Sequence, residues 1–364
     1  MRPLIVLAAG GTGGHLFPAQ ALGEVLIQRG CRIHLMTDER VRDYGRSFPA
    51  EDTHIVKSAS PGMSDPLRLV SRLGTLYQGY RQAKTILQKT KPAAVIGFGG
   101  YPSFPPIFAS TSMHIPTIVH EANAVLGRAN KFLAARVDRV AGSFATMNGL
   151  PAAALEKYVV TGNPVRKIVV EQRAATYPKF GKKYNLLVFG GSQGAKFFSD
   201  FMPTAIELLP ETLRNSLVIT QQCRPEDMDR VRARYQLLNV QCDLQPFFLD
   251  MPKRIALSHV VMCRSGASTI AELGVIGRPA IMVPLPHAID NDQLRNAQSF
   301  ADAGAGWVCP QAELKPHEFA AFLARLLGDY AELERAAMCA LNHGQPDAAE
   351  LLADLVDKIM KPEN

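Results

Sequence analysis

The sequence predicts an α/β fold with two doubly wound parallel sheets in series, and two observations support this. In each half a short apolar strand runs into a glycine-rich turn, Gly10-Gly11-Thr12-Gly13-Gly14-His15 and Gly190-Gly191-Ser192-Gln193-Gly194-Ala195. Strand-like and helix-like segments also alternate, which is the pattern of βαβ units. A strand, a glycine turn and a helix form a phosphate site, because backbone N–H groups approach closely and the helix N-terminus adds partial positive charge.

The strands are predicted from short apolar runs bounded by turn residues. In the first half they are Leu4–Ala8, Cys31–Thr37, His54–Val56, Ala93–Gly97, Thr117–His120 and Arg139–Ala141, with helices such as Pro18–Arg29 and Lys131–Ala135 between them. In the second half they are Asn185–Phe189, Leu217–Thr220, Val240–Cys242, His259–Cys263 and Ala280–Val283, with helices such as Arg224–Gln236 and Ser268–Val275.

The domain boundary is predicted at Thr161-Gly162-Asn163-Pro164, where turn residues interrupt the pattern. This gives one domain of residues 1–162 and a second of residues 163–344. The last residues, about 345–364, have the apolar spacing of an amphipathic helix, and we expect that helix to pack back on the first domain. Ligands of such sheets bind at the carboxyl ends of the strands, so we expect the site in a cleft between the domains.

Composition indicates a globular protein. The chain has 364 residues, enough for two cores, and 47% of them are hydrophobic and 20% charged. It has no apolar run of about 18 residues. Because Met1-Arg2-Pro3 leads straight into a strand, we expect no signal peptide and a cytoplasmic protein. The six cysteines (31, 223, 242, 263, 309 and 339) lack metal or redox spacing, so we expect reduced thiols without a redox or structural-metal role.

The net positive charge of the protein comes from the first half of the chain. Residues 1–162 contain 18 Lys and Arg against 10 Asp and Glu, whereas residues 163–364 contain 22 against 23. Residues 66–120 include no acidic residue, and their first part mixes basic and apolar residues at helical spacing: Arg68, Leu69, Val70, Arg72, Leu73, Leu76, Tyr77, Tyr80, Arg81, Lys84, Lys89 and Lys91. This mixture is typical of a helix on anionic lipid. The alternatives are an amphipathic helix facing the core and a nucleic-acid surface, and we expect no nucleic-acid partner.

Three first-half motifs bear on the chemistry. His15 follows the glycines at a helix start, where it is able to take a proton from a hydroxyl group or to hold an anion. Gly97-Phe98-Gly99-Gly100 supplies a second glycine turn. His120-Glu121-Ala122-Asn123 ends a strand and offers a carboxylate and an amide. The structural alternatives are a tight turn for the first motif and a capping cluster for the last.

The second half offers a sharper pattern. Val260–Cys263 leads through Arg264-Ser265-Gly266 to a helix start, where a diphosphate is able to rest and Glu272 is able to accept two ribose hydroxyls. His287 to Gln293 forms a polar loop suited to a sugar. Asp290-Asn291-Asp292 and Asp227-Met228-Asp229 each spell Asp-x-Asp. The first follows no strand that would present it to a diphosphate, and the second lies in a charged helical stretch typical of a solvated face, so we predict no metal ligands there.

Five motifs in order closely resemble the MurG family of UDP-N-acetylglucosamine transferases, from Leu4 to about Ala297. They are Gly10–His15 with Pro18-Ala19, His120-Glu121-x-Asn123, Thr161–Arg166, Gly190–Ala195 and Cys263–Ala267. The resemblance implies a GT-B fold, in which two Rossmann-like domains face each other across a cleft. The second domain would bind the donor nucleotide and the first the lipid acceptor.

The resemblance also implies residue roles. Glu272 would hold the ribose, Gln293 the sugar, and the Phe248 backbone the uracil edge. The donor contacts are Thr12, Gly13, Gly14, Asn123, Arg166, Ser192, Phe248, Ala267, Ser268, Thr269, Ile270, Ala271, Glu272 and Gln293. Two features depart from the family: Ala122 replaces a common glutamine, and the loop at Asp290–Gln293 differs in spacing, which leaves its register open by one residue.

The implied reaction is an inverting transfer of N-acetylglucosamine to the C4 hydroxyl of undecaprenyl-diphosphate-N-acetylmuramoyl-pentapeptide, a step of peptidoglycan synthesis that supports cell shape and division. His15 is the predicted general base, with holding the acceptor diphosphate as its alternative role, and Glu121 is the second candidate base. No obligatory metal or cofactor is implied, because helix N-termini and glycine-loop N–H groups would meet the diphosphate charge. We expect a peripheral protein on the inner face of the membrane, with other cell-wall synthesis proteins as partners.

Two kinds of alternative stay open. One is a related GT-B enzyme, either a glycolipid synthase or a UDP-N-acetylglucosamine 2-epimerase. The other is a protein without enzymatic activity that binds a nucleotide or scaffolds lipid in the cell-wall machinery. Intact His15, Glu272 and Gln293 count against the second.

Overall fold

The chain divides into two units. The computed structural model describes residues 2–10, 13–43, 48–59, 66–174, 176–191, 194–286 and 291–361. The first unit contains residues 1–166 and 346–364, and the second contains residues 167–345. Residues 163–166 therefore group with the first unit, where the backbone N–H groups of Thr161 and Gly162 both donate to the Gly142 carbonyl.

The first unit contains a seven-stranded parallel sheet of order β3-β2-β1-β4-β5-β6-β7. Its strands are β1 (Leu4–Ala8), β2 (Arg32–Thr37), β3 (Asp52–Ile55), β4 (Ala94–Gly97), β5 (Thr117–Glu121), β6 (Arg139–Gly142) and β7 (Tyr158–Val160). The sequence pattern did not predict β7, which is three residues long and only half-buried at the sheet edge.

Helices cover this sheet. They are α1 (Gly13–Gln28), α2 (Pro66–Thr90), α3 (Phe104–Ser112), α4 (Arg128–Leu133) and α14 (Ala348–Met360). The predicted start of α1 at Pro18 was wrong: the helix begins at Gly13, inside the glycine turn, and contains Pro18. α4 likewise begins at Arg128 rather than Lys131, directly after its N-cap residue Gly127.

Alternate residues of β1 face opposite sides of the sheet, and each side has its own core. Ile5 and Leu7 join the apolar cluster that includes residues of α1 and α14. Val6 and Ala8 join the cluster that includes residues of α2 and α3. The C-terminal helix α14 is thus part of the first unit's core.

The second unit contains a six-stranded parallel sheet of order β10-β9-β8-β11-β12-β13. Its strands are β8 (Tyr184–Phe189), β9 (Leu217–Gln222), β10 (Gln241–Gln245), β11 (Val260–Cys263), β12 (Ala280–Met282) and β13 (Gly306–Val308), and the edge strand β13 was not predicted. Its helices are α5 (Lys167–Val170), α6 (Lys196–Glu207), α7 (Glu211–Arg214), α8 (Met228–Leu237), α9 (Met251–Leu257), α10 (Ala267–Ile276), α11 (Asp292–Asp302), α12 (Pro316–Leu327) and α13 (Tyr330–His343).

Each sheet changes direction of strand order beside its first strand, between β1 and β4 in one unit and between β8 and β11 in the other. At such a switch point the loops leaving two neighbouring strands turn to opposite faces and open a crevice at the carboxyl ends. The two glycine turns follow β1 and β8. The switch points of the two sheets and the glycine motifs of the sequence therefore lie at the same loops.

Two further properties concern membrane-spanning helices and the cysteines. Among the described helices, none is both long and apolar enough to cross a membrane. Cys31, Cys223 and Cys263 are buried thiols, and the other three cysteines are half-buried thiols.

Candidate active site

His15 lies in the first turn of α1, just beyond the carboxyl end of β1, and packs against glycines from two loops. A Cβ atom built on Gly10 would lie 3.5 Å from the imidazole Cδ2, and one built on Gly100 would lie 3.2 Å from the same atom. A Cβ on Gly99 would lie 3.5 Å from Cε1. Gly99 and Gly100 both have positive φ, 79° and 71°. Glycine therefore lets the loop after β4 adopt this conformation and approach the ring closely.

The surroundings of His15 keep its imidazole neutral. Burial lowers its pKa from the ordinary histidine value, and the positive charge of Arg40 acts in the same direction. The negative charge of Glu121 and a hydrogen bond to the Phe98 backbone oppose that shift without reversing it. A neutral ring that donates one N–H to a carbonyl has its other nitrogen unprotonated. That nitrogen is suited to accept a proton from a hydroxyl group.

Glu121, at the end of β5, accepts four hydrogen bonds. Its Oε1 accepts from the backbone N–H and the side-chain Nδ2 of Asn123, both at 3.1 Å. Its Oε2 accepts from the Gly127 backbone at 2.9 Å and from Asn130 Nδ2 at 3.0 Å. Both carboxylate oxygens thus hold the loop between β5 and α4. This arrangement favours a positioning role for Glu121 over the role of proton acceptor.

Arg166 packs on Phe17, which lies near the start of α1. Its guanidinium lies over the Phe17 ring, 4.0 Å from the centroid. One turn earlier on the same helix, a Cβ atom on Gly13 would lie 3.0 Å from Phe17 Cε2. The structure therefore brings together two predicted donor contacts, Gly13 and Arg166, by way of an aromatic ring that the motifs did not single out. Gly14, the next residue of α1, is exposed, and a Cβ there would meet open space.

Asn163 is a buried residue to which the motifs gave no role. It is 5% exposed, and neither its Oδ1 nor its Nδ2 has a hydrogen-bond partner among the residues that the structure describes. Beside it, His120 Nε2 is 2.9 Å from the Gly162 carbonyl oxygen, and burial lowers the pKa of His120 to about 4. Protonation of His15 would lower the pKa of His120 further, because the two imidazolium charges would repel each other. An amide buried without partners is costly, so it indicates a place where a bound molecule supplies them.

In the second unit, the N-terminus of α10 follows β11 at the switch point. Its N-cap residue Gly266 is extended and has no side chain with which to cap the helix. Ser268, Thr269 and Glu272 are half-buried on this end, as are Ala267 and Ala271. Ile270 differs, because its side chain is buried in the core and its N–H donates to the Gly266 carbonyl at 3.1 Å.

Gln293 is fixed next to the start of α10. Ser265 Oγ donates to the Gln293 carbonyl at 2.8 Å, and Gln293 Oε1 accepts from the Leu285 backbone at 3.0 Å. Arg264, whose position within its motif carried no predicted role, donates from Nη1 to the carbonyls of Val283 and Pro284 at 3.0 and 3.1 Å. These bonds fix both ends of the loop that connects β12 to α11.

The glycine turn after β8 is linked to the loops that follow β9 and β10. A Cβ on Gly190 would lie 2.5 Å from the Ala195 Cβ, so only glycine fits there. The Gly190 N–H donates to Gln222 Oε1 at 3.1 Å, and Gln222 Nε2 donates to the Pro246 carbonyl at 3.1 Å. Two residues later, Phe248 is buried under the Arg254 guanidinium, 4.2 Å from its ring centroid.

Two predicted donor contacts, Thr12 and Ser192, lie outside the described residues, as does the part of the polar loop at 287–290.

Comparison with known proteins identifies the family. Residues 5–142 match the glycosyltransferase family 28 N-terminal domain, and residues 185–352 match the family's C-terminal domain. The UDP-N-acetylglucosamine–N-acetylmuramyl-(pentapeptide) pyrophosphoryl-undecaprenol N-acetylglucosamine transferase of Rhizobium leguminosarum bv. trifolii is 49% identical over 360 residues, covering 98% of this chain and 96% of that protein. The chain belongs to glycosyltransferase family 28.

Solved structures agree with family 28 membership. The crystal structure of Acinetobacter baumannii MurG has a TM-score of 0.78 and 30% identity, and covers 98% of this chain and 99% of that one. A UDP-N-acetylglucosamine 2-epimerase from Neisseria meningitidis has a TM-score of 0.67 with 98% and 100% coverage, but its 15% identity shows the fold alone. The predicted resemblance to the MurG family and the predicted GT-B fold are confirmed.

In this family 28 chain, the described candidate residues form one group in each unit, on the strand ends, loops and helices that follow the carboxyl ends of its strands. The first unit's group contains Gly13, Gly14, His15, Glu121, Asn123 and Arg166. The second unit's group contains Phe248, Ala267, Ser268, Thr269, Ile270, Ala271, Glu272 and Gln293. Sequence reasoning missed the residues that support them, Phe17, Asn130, Asn163, Gln222 and Arg264. Most of these were recognisable only from contacts between distant parts of the chain.

Proposed function

We propose that the protein transfers N-acetylglucosamine from UDP-N-acetylglucosamine to the C4 hydroxyl of undecaprenyl-diphosphate-N-acetylmuramoyl-pentapeptide. The observation that carries this proposal is the 49% identity over nearly the whole chain to a transferase whose name states this donor and this acceptor. The reaction belongs to peptidoglycan synthesis, and through it the protein would support cell shape and division. Other proteins of cell-wall synthesis are its expected partners.

The second unit would bind the donor. The diphosphate would accept hydrogen bonds at the N-terminus of α10 and at the glycine turn after β8, where the helix dipole favours negative charge. Glu272 would hold the ribose, Gln293 the sugar, and the Phe248 backbone the uracil. Because these groups meet the charge that develops on the leaving UDP, the reaction needs no obligatory metal or cofactor.

The first unit would activate the acceptor. As the C4 oxygen attacks the anomeric carbon from the face opposite UDP, the bond from that carbon to the UDP oxygen breaks and the configuration inverts. The hydroxyl proton passes to the unprotonated nitrogen of His15, which is neutral because burial lowers its pKa. Glu121 would support this step indirectly, by holding Asn123 of the loop after β5 and Asn130 of α4.

The activity is testable with the full chain, labelled UDP-N-acetylglucosamine and a short-chain lipid-linked muramoyl-pentapeptide. The proposal predicts a labelled lipid-linked disaccharide with this acceptor and no isomerised donor without it. A 2-epimerase would isomerise the donor in the absence of any acceptor, and a glycolipid synthase would label a diacylglycerol instead. Either result, or no donor consumption at all, would overturn the proposal.

The membrane location is a second part of the proposal, and it rests on α2. Val70, Leu73 and Tyr77 are 71%, 54% and 61% exposed. Their spacing puts them on one face of the helix, and the exposed Arg81 continues the row. An apolar row that ends in a cation suits the surface of an anionic bilayer, where the acceptor's lipid chain resides. Farther along α2, Ala83 and Leu87 belong to the core, so the helix also has a buried face.

Vesicle binding tests this location. Replacing Val70, Leu73 and Tyr77 together by Ser should reduce sedimentation with vesicles containing anionic lipid, and raised salt should weaken binding of the wild type. A matched control replaces three exposed apolar residues of the second unit, Leu237, Leu249 and Met338, by Ser. Equal loss of binding in both triple variants would count against a role for α2.

A further inference from the structure

Three potential metal ligands lie together on β2 and β3, away from the loops that form the candidate active site. His34 pairs with Asp52 in the parallel ladder, and Met36 pairs with His54. Residues two apart on a strand share a face, so Asp52 and His54 extend on the same side of the sheet as His34. The sequence did not suggest this cluster, because its members become neighbours only when the two strands pair.

The donor atoms of the three side chains are close to one another. His54 Nε2 is 3.1 Å from His34 Nδ1 and 3.6 Å from Asp52 Oδ2. One ligand atom of each residue lies within 4.8 Å of the others. The first contact has the length of a hydrogen bond, and the second is longer than one.

These separations match tetrahedral metal coordination. Zn²⁺ binds imidazole nitrogen and carboxylate oxygen at about 2.0–2.2 Å, which puts neighbouring ligand atoms about 3.3 Å apart. The two separations from His54 Nε2 differ from that value by a few tenths of an ångström, and the separation between the ligand atoms of His34 and Asp52 is at most 4.8 Å, so rotation of the exposed Asp52 side chain would close the site. His34 is buried, whereas the Asp52 side chain is 59% exposed, so the site has a fixed inner ligand and an open path from solvent.

We propose that His34, Asp52 and His54 bind a divalent transition-metal ion, Zn²⁺ in preference to Mg²⁺, with water as the fourth ligand. Two imidazoles select Zn²⁺ over the hard cations that prefer oxygen ligands. The ion would join the edge strand β3 to β2. Its role would be structural, separate from the transfer reaction and independent of the proposed function.

Cobalt spectroscopy and thermal unfolding of the full chain test this site. After chelator treatment and dialysis, one Co²⁺ per chain should give the visible absorption of a four-coordinate ion, and one Zn²⁺ should displace it. Zn²⁺ should also raise the melting temperature, because a ligand that binds only the folded state stabilises it. His54→Asn should weaken Zn²⁺ binding by about 100-fold and remove the shift in melting temperature.

Two further variants distinguish loss of the metal site from a general effect of replacing a side chain. Asp52→Asn changes an exposed side chain, retains the contact between the imidazoles and should still weaken Zn²⁺ binding at least about 10-fold. His114→Asn removes an exposed histidine elsewhere in the first unit and should bind Zn²⁺ like the wild type. Failure to bind one Co²⁺ or Zn²⁺ per chain, or equal Zn²⁺ affinity of the wild type and His54→Asn, would overturn the proposal.

Discussion

The imidazole of His15 lies so close to Gly100 that a Cβ atom on this glycine would be 3.2 Å from Cδ2 and 3.3 Å from Nε2. Gly100 belongs to the loop after β4 and His15 to the helix after β1, so the contact joins the two loops at the switch point of the first sheet. A catalytic side chain that packs closely against backbone atoms keeps its orientation better than one that is exposed to solvent.

Gly100→Ala should therefore lower kcat/KM by more than its loss of folding stability explains. Its backbone angles, φ 71° and ψ 160°, lie in a region essentially restricted to glycine and cost another residue about 1–3 kcal/mol. The added methyl group also displaces the His15 ring. We expect kcat/KM to fall by about 10-fold or more, measured with labelled donor. Gly149→Ala is the matched control, since Gly149 also has a positive φ, 83°, but a Cβ there meets open space. Equal activity of the two variants would contradict the proposed role of the contact.

Glu121→Gln distinguishes a positioning residue from a general base. Glutamine has one acceptor oxygen and would turn its NH₂ group toward the donors of Gly127 or Asn123. We expect the free energy of unfolding to fall by at least about 2 kcal/mol, measured by urea denaturation, with partial loss of activity. Complete loss of activity at unchanged stability would instead support Glu121 as the base. Glu156→Gln, at an exposed position, is the control.

Asn163→Ala should lower activity without lowering stability. Because both polar atoms of this buried side chain lack partners in the described part of the chain, its removal should leave the free energy of unfolding unchanged or raise it by about 1 kcal/mol. Activity should fall, since the bound substrate is expected to satisfy the amide. Asn185→Ala, which removes a hydrogen bond from Nδ2 to the Leu257 carbonyl, should instead destabilise the protein. Full activity of Asn163→Ala would show that the amide has no part in binding.

The stability of the protein should fall in mild acid. Burial lowers the pKa of His120 to about 4, whereas an unfolded histidine titrates near 6.5. Between these values the unfolded chain binds a proton that the folded chain does not, so stability is full above pH 6.5 and decreases as pH falls toward 4. The expected loss from this group is about 2 kcal/mol between pH 7.5 and 5.

Urea denaturation at the two pH values measures that loss. His120→Gln should reduce it by most of this amount, while the control His317→Gln, at an exposed position, should leave it unchanged. An identical pH dependence for the wild type and His120→Gln would contradict the assignment. His15 acts in the same direction, because its pKa is also lowered by burial.

The central strands and their glycine turns could be predicted from the sequence because their signals are local. β1 and β8 contain apolar runs that lead within two residues into glycine turns. The strands that were missed, β7 and β13, lie at sheet edges, where three half-buried or exposed residues produce no distinctive pattern. Similarly, motifs identified His15 and Glu121, whereas the hydrogen bond from Asn130 to Glu121 and the stacking of Arg166 on Phe17 depend on the folded chain.

The most direct test of the account is the pH dependence of single-turnover transfer by the wild type and His15→Ala, with labelled donor and lipid-linked muramoyl-pentapeptide. If neutral His15 is the base, the wild-type rate should decrease in acid with an apparent pKa below about 6.5. His15→Ala should be at least about 100-fold slower and lack that decrease, with donor affinity retained. Full activity of His15→Ala, or a wild-type rate that rises as the pH falls through this range, would contradict the account.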